Sequence, residues 1–214
     1  MASKPRHLLI DELVAAAAPL PPQLTIEIRA WRWLLLAVAV VVLALLITGP
    51  VRDGALSALL NVPRYLLEAL LGVGTIMSLS LAAFRSAIPS PTPMTQRLIW
   101  PLGFLVLWIV LCGFGVVDSG LPSSMAGKRA HCLIEILALG TLCWAVGGYG
   151  LRHLWPLQPA WSGALLGLAA GAIPAVAMQF MCMYAPLHTL LFHILPALAL
   201  GVVGAVVGRF ALRK

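Results

Sequence analysis

The stretch "WLLLAVAVVVLALLITG", residues 33–49, runs without a single charge. Such a run, with its flanks, reaches the roughly 20 residues that an α-helix needs to cross a bilayer. It begins too late for an ordinary signal peptide, and "TGPVR" (48–52) reads as a turn, not as a small-residue cleavage site. Five further apolar runs accompany it, at 65–84, 98–117, 132–150, 161–181 and 189–210. Lipid offers an open backbone no hydrogen-bond partner, so each run is expected to be helical. The expected fold is all-α, a polytopic membrane bundle of six transmembrane helices. Composition agrees: the chain is 61% hydrophobic and 10% charged, with mean hydropathy +1.00. A soluble domain carries about 25% charged residues.

Charge sets the expected orientation. With a cytoplasmic N-terminus, the inner parts carry Lys4, Arg6, Arg29, Arg32, Arg85, Arg97, Arg152, Arg209, Arg213 and Lys214, which is 10 of the 14 basic residues. The outer loops carry the other 4, Arg52, Arg64, Lys128 and Arg129. The positive-inside rule then places both termini in the cytoplasm. The net charge of +7 follows from topology. Its scatter over short loops excludes the continuous basic face that direct nucleic-acid binding requires.

The chain divides into residues 1–30, a cytoplasmic N-terminal amphipathic segment, and residues 31–214, the six-helix transmembrane domain. In "RHLLIDELVAAAA" Leu9, Leu13 and Ala16 form one helical stripe, flanked by Ile10, Val14 and Ala17, with Asp11 and Glu12 opposite. "PLPPQ" stops that helix, and Pro22 can start the next. Trp31 and Trp33 read as interfacial anchors. So short a helix is marginal alone in water and needs a surface for its apolar stripe. That surface is either the membrane or the bundle itself, or a cytoplasmic partner whose groove the helix enters. Gly163, Gly167 and Gly171, with Gly204 and Gly208, form small faces that let helices approach closely. No long internal repeat signals a transporter's paired halves.

The crossing count collects polar and sulfur-bearing groups near the outer face. His131, Cys132 and Glu135 open the fourth run; Met181, Cys182 and Met183 close the fifth; His188 and His193 begin the sixth; Glu68 opens the second. Two thiolates helped by imidazole or carboxylate suit a soft or borderline cation. Two thiols in reach of one another can also form a disulfide. Cys112 and Cys143 read as small apolar residues, and Arg64 and Glu68 as an i,i+4 pair. No CxxC, HExxH, nucleophile elbow or phosphate loop is present. No enzyme is expected.

These residues resemble the negative regulator of sigma-F (NrsF-like) family of bacterial membrane anti-sigma factors. The likeness begins with "LIDELVAAAAPLPPQLTIEIRAWRWLLLA", continues through Cys132-Leu133, "LRHLWPLQPAWSGALLGLAAGA" and Cys182, and ends with "APLHTLLFHILPALALGVVGAVVGR". It spans nearly the whole chain. It implies a bacterial inner-membrane, multi-pass protein that sequesters an extracytoplasmic-function sigma factor and releases it under heavy-metal or oxidative stress. The two family cysteines, needed for release, map onto Cys132 and Cys182. His131, Glu135, His188 and His193 are then candidates for a sensor shell or metal ligands, and Leu9, Ile10, Leu13 and Val14 for the sigma-binding face. No resident cofactor is expected beyond transient heavy-metal binding at Cys132 and Cys182. One departure stands out: the stretch after the second cysteine is often acidic, whereas Met183-Tyr184-Ala185 carries no charge. The alternative reading is a small metal or solute transporter or channel. It wants polar groups along a path, and the inner halves of the helices offer few beyond Ser78, Ser80, Thr141 and Cys143.

Overall fold

The structure, a computed structural model, describes residues 10–12, 14–15, 23–89, 92–118, 125 and 127–212. Among them there are helices and no strand. The long helices are α1 (Gln23–Thr48), α3 (Pro63–Arg85), α4 (Met94–Val117), α5 (Cys132–Arg152), α6 (Pro159–Met181) and α7 (Pro186–Ala211), with a short α2 (Ala55–Asn61) between α1 and α3. The six long ones are each long and apolar enough to cross a membrane. Their outward residues, such as Leu35, Leu43, Ile47, Ile99, Val106 and Phe114, are apolar and exposed. An apolar coat that extensive fits a lipid surrounding.

The boundaries have local causes. Pro63, Pro159 and Pro186 lie in the first turns of α3, α6 and α7, where a missing amide hydrogen has no cost. Gly54 takes φ +76° ahead of α2, a left-handed conformation that a side chain disfavours. The short α2 lies between the first two apolar runs, where no helix was expected. α1 begins at Gln23, directly after the proline run, and continues unbroken past residue 30. Trp33 is not an interfacial anchor: it is buried, donates its indole N–H to the Cys143 carbonyl at 3.1 Å and packs on Phe84. Trp31 stays exposed.

α6 is the axis of the bundle. In its most apolar window 78% of residues are buried, against 28% for α4. It packs on α7 through the small faces expected from sequence. A Cβ added to Gly163 would run into the Gly204 carbonyl oxygen, and one added to Gly167 into that of Leu200. Ser86 and Ser162 share a hydrogen bond of 2.8 Å between α3 and α6. Ser78 and Ser80 donate back to carbonyls of their own helix, at 2.7 Å to Gly74 and 2.6 Å to Ile76. Those hydroxyls bond back to their own helix.

Of the N-terminal segment, residues 10–12 and 14–15 are helical. Ile10 and Val14 are 49% and 69% exposed. Leu9 and Leu13, the other two residues of the expected sigma-binding face, lie outside the described residues.

Candidate functional site

Three elements meet at the end of the bundle where α1 ends and α5 begins. Cys132 opens α5. Cys182 follows α6 in extended conformation, its amide donating to the Met178 carbonyl at 2.8 Å. Only 182–185 separate α6 from α7. Ala185 is extended, as a residue before proline must be, so the chain doubles back at once. α7 then carries His188 and His193 to the same place.

The residues 189–194 of α7 form a π-helical segment. Pro196 lies two residues beyond it. A proline ring displaces the carbonyl four residues earlier, here that of Phe192, and a π turn accommodates the displaced group. The wider turn has a consequence for the histidines. In an α-helix, positions i and i+5 stand about 140° apart. In α7 the rings of His188 and His193 face each other edge to face, with centroids 5.1 Å apart.

The result is a compact group of four. One donor atom each from Cys132, Cys182, His188 and His193 lies within 4.8 Å of every other. His188 Nε2 sits 3.4 Å from Cys132 Sγ and 3.5 Å from Cys182 Sγ. Both thiols are buried and free of a disulfide. The hydrogen bond from the Cys132 thiol pushes the Cys182 thiol down from its ordinary range. Thiolates are the reactive and metal-binding form. His193 is 0% exposed, and neither of its ring nitrogens has a hydrogen-bond partner. The arrangement can bind a cation, or react with thiol-directed oxidants and metals.

The other two candidates are placed apart. His131 is exposed and outside the group. Glu135 pairs with Arg129 at 3.5 Å instead. Glu68 pairs with Arg64 at 3.1 Å, the i,i+4 contact its spacing implied. Met181 and Met183 pack in or against the core.

Sequence reading missed what surrounds the four. Arg52, Arg64 and Arg129, counted as outer-loop charges, fold inward. Arg129 donates to the carbonyls of Leu45 (3.1 Å), Gly49 (2.8 Å) and Met181 (3.4 Å), and to Thr48 Oγ1 (2.8 Å). It thus satisfies the last carbonyls of α1 and α6, which a helix cannot bond internally. Arg64 donates to the carbonyls of Leu111 and Asp118 at the end of α4. Arg52 lies over the rings of Tyr65 and Tyr184, and the Tyr65 hydroxyl donates to the Gln179 carbonyl at 2.7 Å. A cue existed: each arginine follows or precedes a predicted helix by only a few residues. Which carbonyls it reaches depends on the fold.

Comparison with known proteins gives this geometry a family. A family model described as NrsF, negative regulator of sigma F, matches residues 13–213. Over 86 residues the chain is 36% identical to the anti-sigma-F factor NrsF of Caulobacter vibrioides (strain NA1000 / CB15N). That stretch is 38% of this chain, and it spans 39% of that relative's length. No solved structure matches. Since the family model runs through all six long helices and the four-residue group, the chain belongs to the NrsF family, negative regulator of sigma F.

Proposed function

We propose that the chain is a membrane-bound anti-sigma factor. It sequesters an extracytoplasmic-function sigma factor through its N-terminal segment and releases it when the Cys132–Cys182 pair is modified by heavy metal or oxidant. The family match over residues 13–213 carries the reading. The buried thiols at one end of the bundle and the exposed Ile10 and Val14 ahead of α1 agree with it. α1 starts at the end of the bundle away from the thiols. In a bacterial inner membrane with both termini cytoplasmic, sigma binding and thiol chemistry then lie on opposite faces. The signal passes through the helices as a shift between two states of different sigma affinity.

The test of the binding half is co-purification of a co-expressed extracytoplasmic-function sigma factor with the chain, with and without residues 1–20. The full chain retains it, and the truncated chain loses it. Undiminished binding after truncation contradicts the docking role of Leu9, Ile10, Leu13 and Val14. Reporter fusions at the two termini test orientation: cytoplasmic signals are expected from both.

A further inference from the structure

We propose that Cys132, Cys182, His188 and His193 are the four ligands of one closed site for a zinc-class divalent cation. The site rests on the sensor reading above and enlarges it from two thiols to two thiols and two imidazoles. The donor set is right in kind and number, since two cysteines and two histidines are a tetrahedral zinc set. The spacing is right as well. Zn–S bonds of about 2.3 Å and Zn–N bonds of about 2.0–2.1 Å place tetrahedral sulfur and nitrogen about 3.5 Å apart. His188 Nε2 stands 3.4 and 3.5 Å from the two sulfurs.

Charge selects a dication. Two thiolates and two neutral imidazoles cancel two positive charges, leaving a buried site with no net charge to desolvate. A carboxylate ligand would upset that neutrality, and Glu135 is turned to Arg129. Each thiol that binds gives up its proton to solvent.

His193 supplies the independent observation. It is fully buried, with both ring nitrogens lacking a hydrogen-bond partner. Buried polar groups of that kind are rare and demand a partner. A cation beside the thiols provides one. A disulfide between Cys132 and Cys182 would satisfy the sulfurs and leave His193 as it is. Hydrogen bonding of His188 to the thiols also leaves His193 as it is. The π turn that brings both imidazoles to one face is the kind of local departure that accompanies functional sites. With four protein ligands the site has no open position, so it is a clasp between α5, α6 and α7, not a catalytic centre. A softer, larger cation such as cadmium would favour the thiolates and stretch the clasp.

The test uses the full chain in detergent under reducing conditions. Metal content is measured by mass spectrometry, affinity by cobalt and zinc titration, and the ligand sphere by X-ray absorption. One zinc per chain is expected, with two sulfur and two nitrogen ligands. His188→Ala and His193→Gln should each weaken zinc binding about tenfold or more; His131→Ala and Glu135→Gln should leave it unchanged. No bound zinc, a sphere without imidazole, or wild-type affinity in His188→Ala overturns the site. If His193→Gln does not fold, the wild-type absorption spectrum and His188→Ala decide. Sigma co-purification from the same preparations separates the two readings. A chain that holds sigma but no zinc overturns this site alone, whereas one that binds zinc but no sigma overturns the anti-sigma reading.

Discussion

The two ends of the bundle are held in different ways. At the thiol end, side chains hold the helices: two thiols, two imidazoles, Arg64 and Arg129 reaching across to carbonyls of other helices, and Arg52 lying over the Tyr65 and Tyr184 rings. At the other end α6 and α7 meet backbone to backbone. A Cβ on Gly208 would stand 2.6 Å from the Pro159 carbonyl oxygen and 3.1 Å from the Gly163 Cα. The charged contact there, Arg85 with Glu27 at 2.6 Å, is half-exposed. The difference teaches where chemistry can act. Side-chain contacts can be oxidised, metallated or titrated; a glycine interface offers nothing to modify. In lipid, moreover, such close backbone packing is a main source of helix association. One end is therefore addressable and the other is the fixed frame against which a change is felt.

The largest expected effect falls on the fixed end. Gly163→Val should destabilise the bundle by about 3 kcal/mol or more, because backbone on α7 cannot yield as a flexible side chain would. Gly113→Ala is the control, since a Cβ there meets open space. It should shift stability by no more than about 1 kcal/mol, in the stabilising direction. Melting followed by circular dichroism in detergent measures both, and equal losses would erase the distinction between packed and open glycines. Next comes Arg129→Leu at the thiol end. It strips the caps from α1 and α6 and leaves Glu135 without its partner, an expected loss of about 1.5–3 kcal/mol by the same melts. The smallest effect belongs to Arg85→Gln. The pair it breaks is exposed to 44% and 28% on its two sides, so about 0–1 kcal/mol is expected. A larger loss would mean that the fixed end, too, depends on charge.

The six helices were legible because their signal is local: long uncharged runs with prolines at the starts of α3, α6 and α7. The glycine faces were legible for the same reason, as steps of four residues within one helix. The site was legible only in part. Crossing count alone put Cys132, Cys182, His188 and His193 at one level, yet it put His131 and Glu135 there as well. What separates them is azimuth around each helix. Glu135 shares a helix face with Cys132 by its i,i+3 spacing, but Arg129 claims it. His193 reads by α-helical spacing as facing away from His188, and a π turn reverses that. Pro196 was the available clue, though a proline inside a helix reports a disturbance without saying how it is resolved. The inward arginines were read as topology charges because a loop residue carries no periodicity from which to infer its reach.

The central claim is that the thiol end governs sigma binding, and one measurement reaches it directly. The full chain with its sigma factor bound is exposed to cadmium, and the sigma factor released is measured against the Cys132→Ser/Cys182→Ser variant. Release from the unaltered chain and retention by the variant are predicted. Equal release from both, or no release from either, would contradict the account.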